Sequence, residues 1–194
     1  MKNKKGFLVI LLIFVLLLGG ASVLYKKLGQ EVEANQLVTQ EQTEPQESDG
    51  ETASDKTLAP DFTVYDNDGN AVYLSSYIGK PIVLNFWASW CGPCQMEMPD
   101  FNAKYLEMGE DIYFLMVNMT DGGRETVESA SEFIEEQGYV FPIFYDKDSS
   151  AASTYGAYSL PTTFFIDAGG YVIARATGAI DADTLQRGID MITE

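Results

Sequence analysis

Pro81-Ile82-Val83-Leu84-Asn85-Phe86-Trp87-Ala88-Ser89-Trp90-Cys91-Gly92-Pro93-Cys94 is the stretch on which the fold turns. Its first part, Ile82 to Trp87, is apolar and partly β-branched, interrupted only by one asparagine. The run is short for a helix and suits extended backbone, so it predicts a fully buried central strand. Pro93 then stands in the first turn of a helix that runs to about Met108, where a proline gives up no backbone hydrogen bond. The two cysteines therefore fall where a buried strand gives way to a helix. In an open α/β sheet that is the end where reactive groups gather.

Outward from this unit the pattern repeats. Phe62–Val64 and Val72–Leu74 are short strand-like runs around Asp66-Asn67-Asp68-Gly69, a turn sequence suited to a hairpin. Ile112–Val117 predicts a second buried strand. Asp121-Gly122-Gly123 breaks the chain, and Thr126–Gln137 follows as an amphipathic helix with Val127, Phe133 and Ile134 inward. A helical piece near Ser149–Tyr155 leads to Leu160-Pro161. Thr162–Ile166 and Tyr171–Ala176 flank Asp167-Ala168-Gly169-Gly170 as a second hairpin, and Asp181–Ile192 closes the chain as a helix capped by Asp181. The aromatic residues Tyr139, Phe141, Phe144 and Tyr145 are read as packing. The order βαβα then ββα implies an α/β fold with a mixed sheet covered by helices on both faces.

Cys91 and Cys94 are the only cysteines, and there is no histidine. A disulfide framework needs more cysteines. Imidazole bases, His-containing zinc sites and Cys-His or Ser-His-Asp machinery are excluded. No metal and no cofactor is expected. A thiolate, not a thiol, attacks a disulfide. Cys91 at a helix N-terminus meets free backbone N–H groups and the positive end of the helix dipole, which favour the anion. Cys94, one turn further, can reach it as a resolving thiol. A purely structural bridge closing so small a loop would restrain the unfolded chain very little. The pattern thus points to thiol–disulfide exchange.

The formal net charge is −17. An acidic surface repels phosphate backbones, so nucleic acid is not an expected partner. Residues 1–29 are the exception, basic and without acids. Phe7–Leu24 is a nearly unbroken apolar run that would span about 27 Å as a helix at about 1.5 Å per residue. With Lys2, Lys4 and Lys5 in front, this predicts a single membrane anchor over residues 1–29 with a cytoplasmic N-terminus. A cleaved signal peptide, cut near Gly19 or Ala21, is the competing reading; both export the domain. Residues 30–57 are polar and acidic and are expected to form a flexible spacer. Residues 58–194 make one domain.

The Trp87–Cys94 segment is similar to the active-site signature of thioredoxins. With the anchor and the hairpin before the central strand, the chain resembles the TlpA/ResA branch of that superfamily. Leu160-Pro161-Thr162 stands where the family keeps a cis-proline facing the active site, and Thr177-Gly178-Ala179 resembles the loop that holds substrate backbone. The resemblance therefore implies Cys91 and Cys94 as the catalytic pair, with Trp90, Pro93, Leu160, Pro161, Gly178 and Ala179 binding substrate. Two positions depart from thioredoxin itself. Asn85 stands where a buried aspartate is usual, and Met116 where a lysine is usual. Glu97, three residues after the second cysteine, matches a glutamate of the TlpA/ResA branch, and the resemblance gives it a part in proton transfer or thiol tuning. The alternative for Glu97 is a solvated helix residue. Arg124 is read as loop decoration, Trp87 as core and Trp90 as exposed.

The resemblance further implies a monomer that reduces disulfides in exported clients, such as apocytochrome c or an extracytoplasmic methionine sulfoxide reductase. A CcdA/DsbD-type membrane protein would supply its electrons. Two other functions remain open on the residues alone: a dithiol oxidase that inserts disulfides, and a peptide-binding scaffold without catalysis.

Overall fold

The computed structural model describes residues 36–39 and 57–193. Along the chain lie β1 (Val38–Thr39), β2 (Thr57–Leu58), β3 (Thr63–Tyr65), β4 (Ala71–Tyr73), β5 (Ile82–Trp87), α1 (Gly92–Met108) and β6 (Tyr113–Asn118). Then follow α2 (Val127–Gln137), β7 (Ile143–Tyr145), α3 (Ser150–Tyr155), β8 (Thr162–Ile166), β9 (Tyr171–Thr177) and α4 (Ala182–Thr193). The strands form one mixed sheet in the order β1-β9-β8-β5-β6-β7-β3-β4, with β2 also on β9. β5, β6 and β7 run parallel, as their helical crossovers require. β8 and β9 lie antiparallel on the other side of β5.

Every residue of β5 is buried, and its alternation divides the core in two. Val83 and Trp87 pack with Met98 and Phe101 of α1, Ile134 of α2 and Leu185 and Ile189 of α4. Ile82, Leu84 and Phe86 pack with Tyr155 of α3 and Val64 of the β3–β4 hairpin. Asn85, in phase with Val83 and Trp87, faces the first of these layers. Gly188 lets α4 lie close to the sheet there, because a Cβ at that position would run into the Phe165 ring.

The sequence reading places most elements within a residue or two of their observed ends. It misses β7, whose Phe144 and Tyr145 it takes as packing. Three residues behind Pro142 are too few to show a period, yet β7 carries the sheet on to the hairpin through Tyr65↔Tyr145. It also assigns all of 30–57 to a spacer, whereas Val38 and Thr39 pair with Arg175 and Ala174 of β9. β9 would otherwise show a bare edge of backbone donors and acceptors to solvent, and Leu37 packs against the core beside this pairing. The anchor at residues 7–24 and the rest of the spacer lie outside the described residues. Among the described residues no helix is long and apolar enough to cross a membrane.

Candidate active site

Cys91 is the N-cap of α1, with extended backbone (φ −84°, ψ 104°). It is disulfide-bonded to Cys94, with the two Cα atoms 5.2 Å apart. The Cys94 backbone N–H donates to Cys91 Sγ at 3.3 Å. The sulfur therefore takes the position in which a serine or aspartate would cap the helix, close to the orphan N–H groups of the first turn. Cys91 keeps 5 % of its surface and Cys94 none, so of the pair Cys91 is the one a partner can touch.

In front of Cys91 lies a groove of about 560 Å³ whose walls include Trp90, Pro93, Met119, Tyr158 and Leu160. Trp90 is 41 % exposed. The Leu160–Pro161 peptide is cis, and the Pro161 carbonyl accepts the Gly178 N–H at 2.9 Å. The two segments that the resemblance assigns to substrate binding are thus neighbours. Pro161, Gly178 and Ala179 are outside the groove's own lining, whereas Trp90, Pro93 and Leu160 are in it. Arg124 is more than loop decoration: its guanidinium lies 3.6 Å from the centre of the Trp90 ring. A cation over an exposed indole contributes about 0.5–1 kcal/mol and stiffens the wall.

Glu97, one turn beyond Cys94, is 2 % exposed and is not a solvated helix residue. Its Oε1 accepts from Asn85 Nδ2 at 2.8 Å and its Oε2 from the Ile180 backbone N–H at 3.0 Å. Burial penalises the charge enough to push its pKa up to about 8, although both hydrogen bonds pull the other way and the Asp100 charge adds a smaller upward push. Asn85 Nδ2 also donates to Thr163 Oγ1 at 3.0 Å, while Asn85 Oδ1 is buried without a partner. Met116 sits beside Asn85 in the β5–β6 register, so no cation faces the pair from that position. Among the described residues no group of three Cys, Asp or Glu side chains is placed to hold a metal ion.

One residue at the site escapes the sequence reading. Glu125, fully buried, binds both Ser89 and Asn118. The only hint in the sequence is its place at the end of the β6–α2 loop, on the same sheet end as the cysteines.

A buried central strand, a disulfide at a helix head and a cis Leu160–Pro161 peptide whose leucine lines the groove in front of Cys91 define a thioredoxin-fold thiol-disulfide oxidoreductase, and the comparisons with known proteins agree. A profile of the AhpC/TSA family matches residues 56–175. The thiol-disulfide oxidoreductase ResA of Bacillus thuringiensis subsp. konkukian (strain 97-27) is 36 % identical over 138 residues, covering 70 % of this chain and 76 % of that protein. ResA of Geobacillus kaustophilus (strain HTA426) is 37 % identical over 137 residues, with the same coverage of 70 % and 76 %. Among solved structures, the pneumococcal exposed lipoprotein thioredoxin Etrx1 of Streptococcus pneumoniae strain TIGR4 superposes with a TM-score of 0.57 at 32 % identity, covering 68 % of this chain and 98 % of that one. A protein from Chlorobium tepidum assigned as the thiol:disulfide interchange protein DsbE gives 0.62 at 29 % identity, covering 71 % and 96 %. The chain belongs to the AhpC/TSA family, as a thiol-disulfide oxidoreductase of the ResA type.

Proposed function

We propose that this protein is a membrane-tethered reductase that works outside the cytoplasm on disulfides of exported clients. The observation that carries the reading is the asymmetry of the pair, with Cys91 capping α1 at the groove and Cys94 sealed beneath it. In the reduced state the Cys91 thiolate attacks a client disulfide. One client sulfur departs as thiolate and takes up a proton, and a mixed disulfide forms. Cys94 then displaces the second client sulfur and restores the Cys91–Cys94 bond, so one client disulfide is reduced as two protein thiols are oxidised. Holding Cys94 one turn away makes this second step intramolecular and fast. Apocytochrome c and a methionine sulfoxide reductase are the client classes that the TlpA/ResA resemblance suggests, and a CcdA/DsbD-type membrane protein is the matching electron donor. The apolar run 7–24 would keep the domain at the membrane.

Glu97 fits a role as proton acceptor for the Cys94 thiol. Its pKa of about 8 lets it hold or release a proton near neutral pH. Half a turn of the Asn85 amide would bring its unpartnered Oδ1 to the place from which Nδ2 now donates to Glu97. The amide can therefore serve the ionised acid with its nitrogen and the neutral acid with its oxygen.

Trapping tests the scheme. Cys94→Ser in the full chain is expected to accumulate mixed disulfides with exported proteins, and Cys91→Ser is not. A Cys94→Ser protein that traps nothing would count against the reading, and trapped clients that become less oxidised when the protein is deleted would point to the oxidase direction instead.

A further inference from the structure

Glu125 immediately precedes Thr126, the N-cap of α2, and has no exposed surface. Three donors from two segments converge on its two oxygens. The Ser89 backbone N–H and Asn118 Nδ2 reach Oε1 at 3.0 and 2.8 Å, and the Ser89 hydroxyl reaches Oε2 at 2.8 Å. A buried acid is a costly way to fill space, so the geometry it enforces is what needs explaining. That geometry centres on Ser89. Its carbonyl accepts from Gln95 Nε2 of α1 at 2.6 Å. The turn that follows is closed by the Cys91 N–H donating to the Ala88 carbonyl at 3.2 Å. The loop behind Glu125 is itself pinned, with the Glu125 N–H on Asp121 Oδ1 at 3.0 Å and the Gly122 N–H on the Glu125 carbonyl at 2.9 Å. Arg124, the residue before, lies over Trp90.

We propose that Glu125 is a positioning residue for disulfide exchange: by gripping Ser89 it sets the direction in which Cys91 Sγ and the Trp90 ring meet a docked disulfide. The attacking sulfur must lie in line with the bond that breaks, so a turn that swings freely lowers the rate of reaction with a bulky disulfide. The sulfur's own reactivity is untouched. The proposal concerns exchange in either direction, so it stands or falls separately from the reductive role argued above.

Reduced wild type and variants are mixed with an oxidised cystine peptide to obtain the second-order exchange rate. Alkylation of Cys91 by iodoacetamide is followed in parallel, and near-ultraviolet circular dichroism reports the native fold. Glu125→Gln can accept the two N–H bonds on its carboxamide oxygen and donate to Ser89 Oγ, so its exchange rate stays within about threefold of wild type. Glu125→Ala loses all three contacts and slows peptide exchange by about tenfold or more, while alkylation changes by less than about threefold. The proposal is overturned if folded Glu125→Ala exchanges like wild type, if exchange and alkylation fall in parallel, or if Glu125→Gln is as slow as Glu125→Ala. Should Glu125→Ala fail to fold, Glu125→Asp decides, because a side chain one methylene shorter withdraws both oxygens from Ser89. Slower peptide exchange with unchanged alkylation supports the proposal, and unchanged exchange overturns it.

Discussion

Glu97 shows at the scale of one residue how burial sets chemistry. In the unfolded chain its carboxyl titrates near 4.5, and in the fold it holds its proton up to about 8. Between these values the native state carries a proton that the unfolded chain has lost, so stability falls as pH rises. The favourable contribution is complete below about 4.5 and gone by about 8, and the slope is at most about 1.4 kcal/mol per pH unit. Glu97→Gln mimics the neutral acid and removes the slope. Urea unfolding of the oxidised protein at pH 5 and pH 8 should therefore show the variant gaining on wild type at the higher pH. A constant difference across that range would mean that Glu97 is ionised in the fold throughout. The TlpA/ResA resemblance and the spacing from Cys94 singled this residue out before its burial was seen. Its pairing with Asn85 was not, because Asn85 sits twelve residues earlier on a different element and carries no charge to flag it.

Elements were legible where local pattern and burial agree. β5 reads directly because all six of its residues are buried, and α2 because of its apolar face, to which the structure adds a cap. Thr126 Oγ1 accepts from the Ser129 N–H at 3.1 Å and Ser129 Oγ from the Thr126 N–H at 2.9 Å, a reciprocal cap that satisfies two orphan donors. Thr126→Ala should cost about 1 kcal/mol, read as a lower urea midpoint with unchanged m value. Gly188 was not legible, since nothing in a helical pattern says that a neighbouring ring needs the space. Gly188→Ala should cost about 1–3 kcal/mol through overpacking against Phe165, despite the better helix propensity of alanine. A variant as stable as wild type would show that α4 can slide away from the sheet. β1 and β7 were missed for a related reason. Strands of two and three residues leave no period of their own, and β1 and β7, unlike β3 and β4, are not joined by a hairpin turn that marks them.

The whole molecule adds charge. With a net −17, the protein attracts basic partners and repels acidic ones over distances that salt screens. Exchange with a cationic cystine peptide should outrun exchange with an anionic one by about tenfold at low ionic strength, and the ratio should shrink as salt is added. A ratio independent of salt would place selectivity in the groove, where Arg124 and Asp121 stand together, rather than in the overall field.

All of this depends on which sulfur attacks. The most direct measurement is treatment of the fully reduced protein with less than one equivalent of iodoacetamide at neutral pH, followed by peptide mapping. Cys91, capping α1 with part of its surface open, should carry the label, and fully buried Cys94 should remain unmodified. Label appearing first on Cys94, or equally on both, would contradict the account.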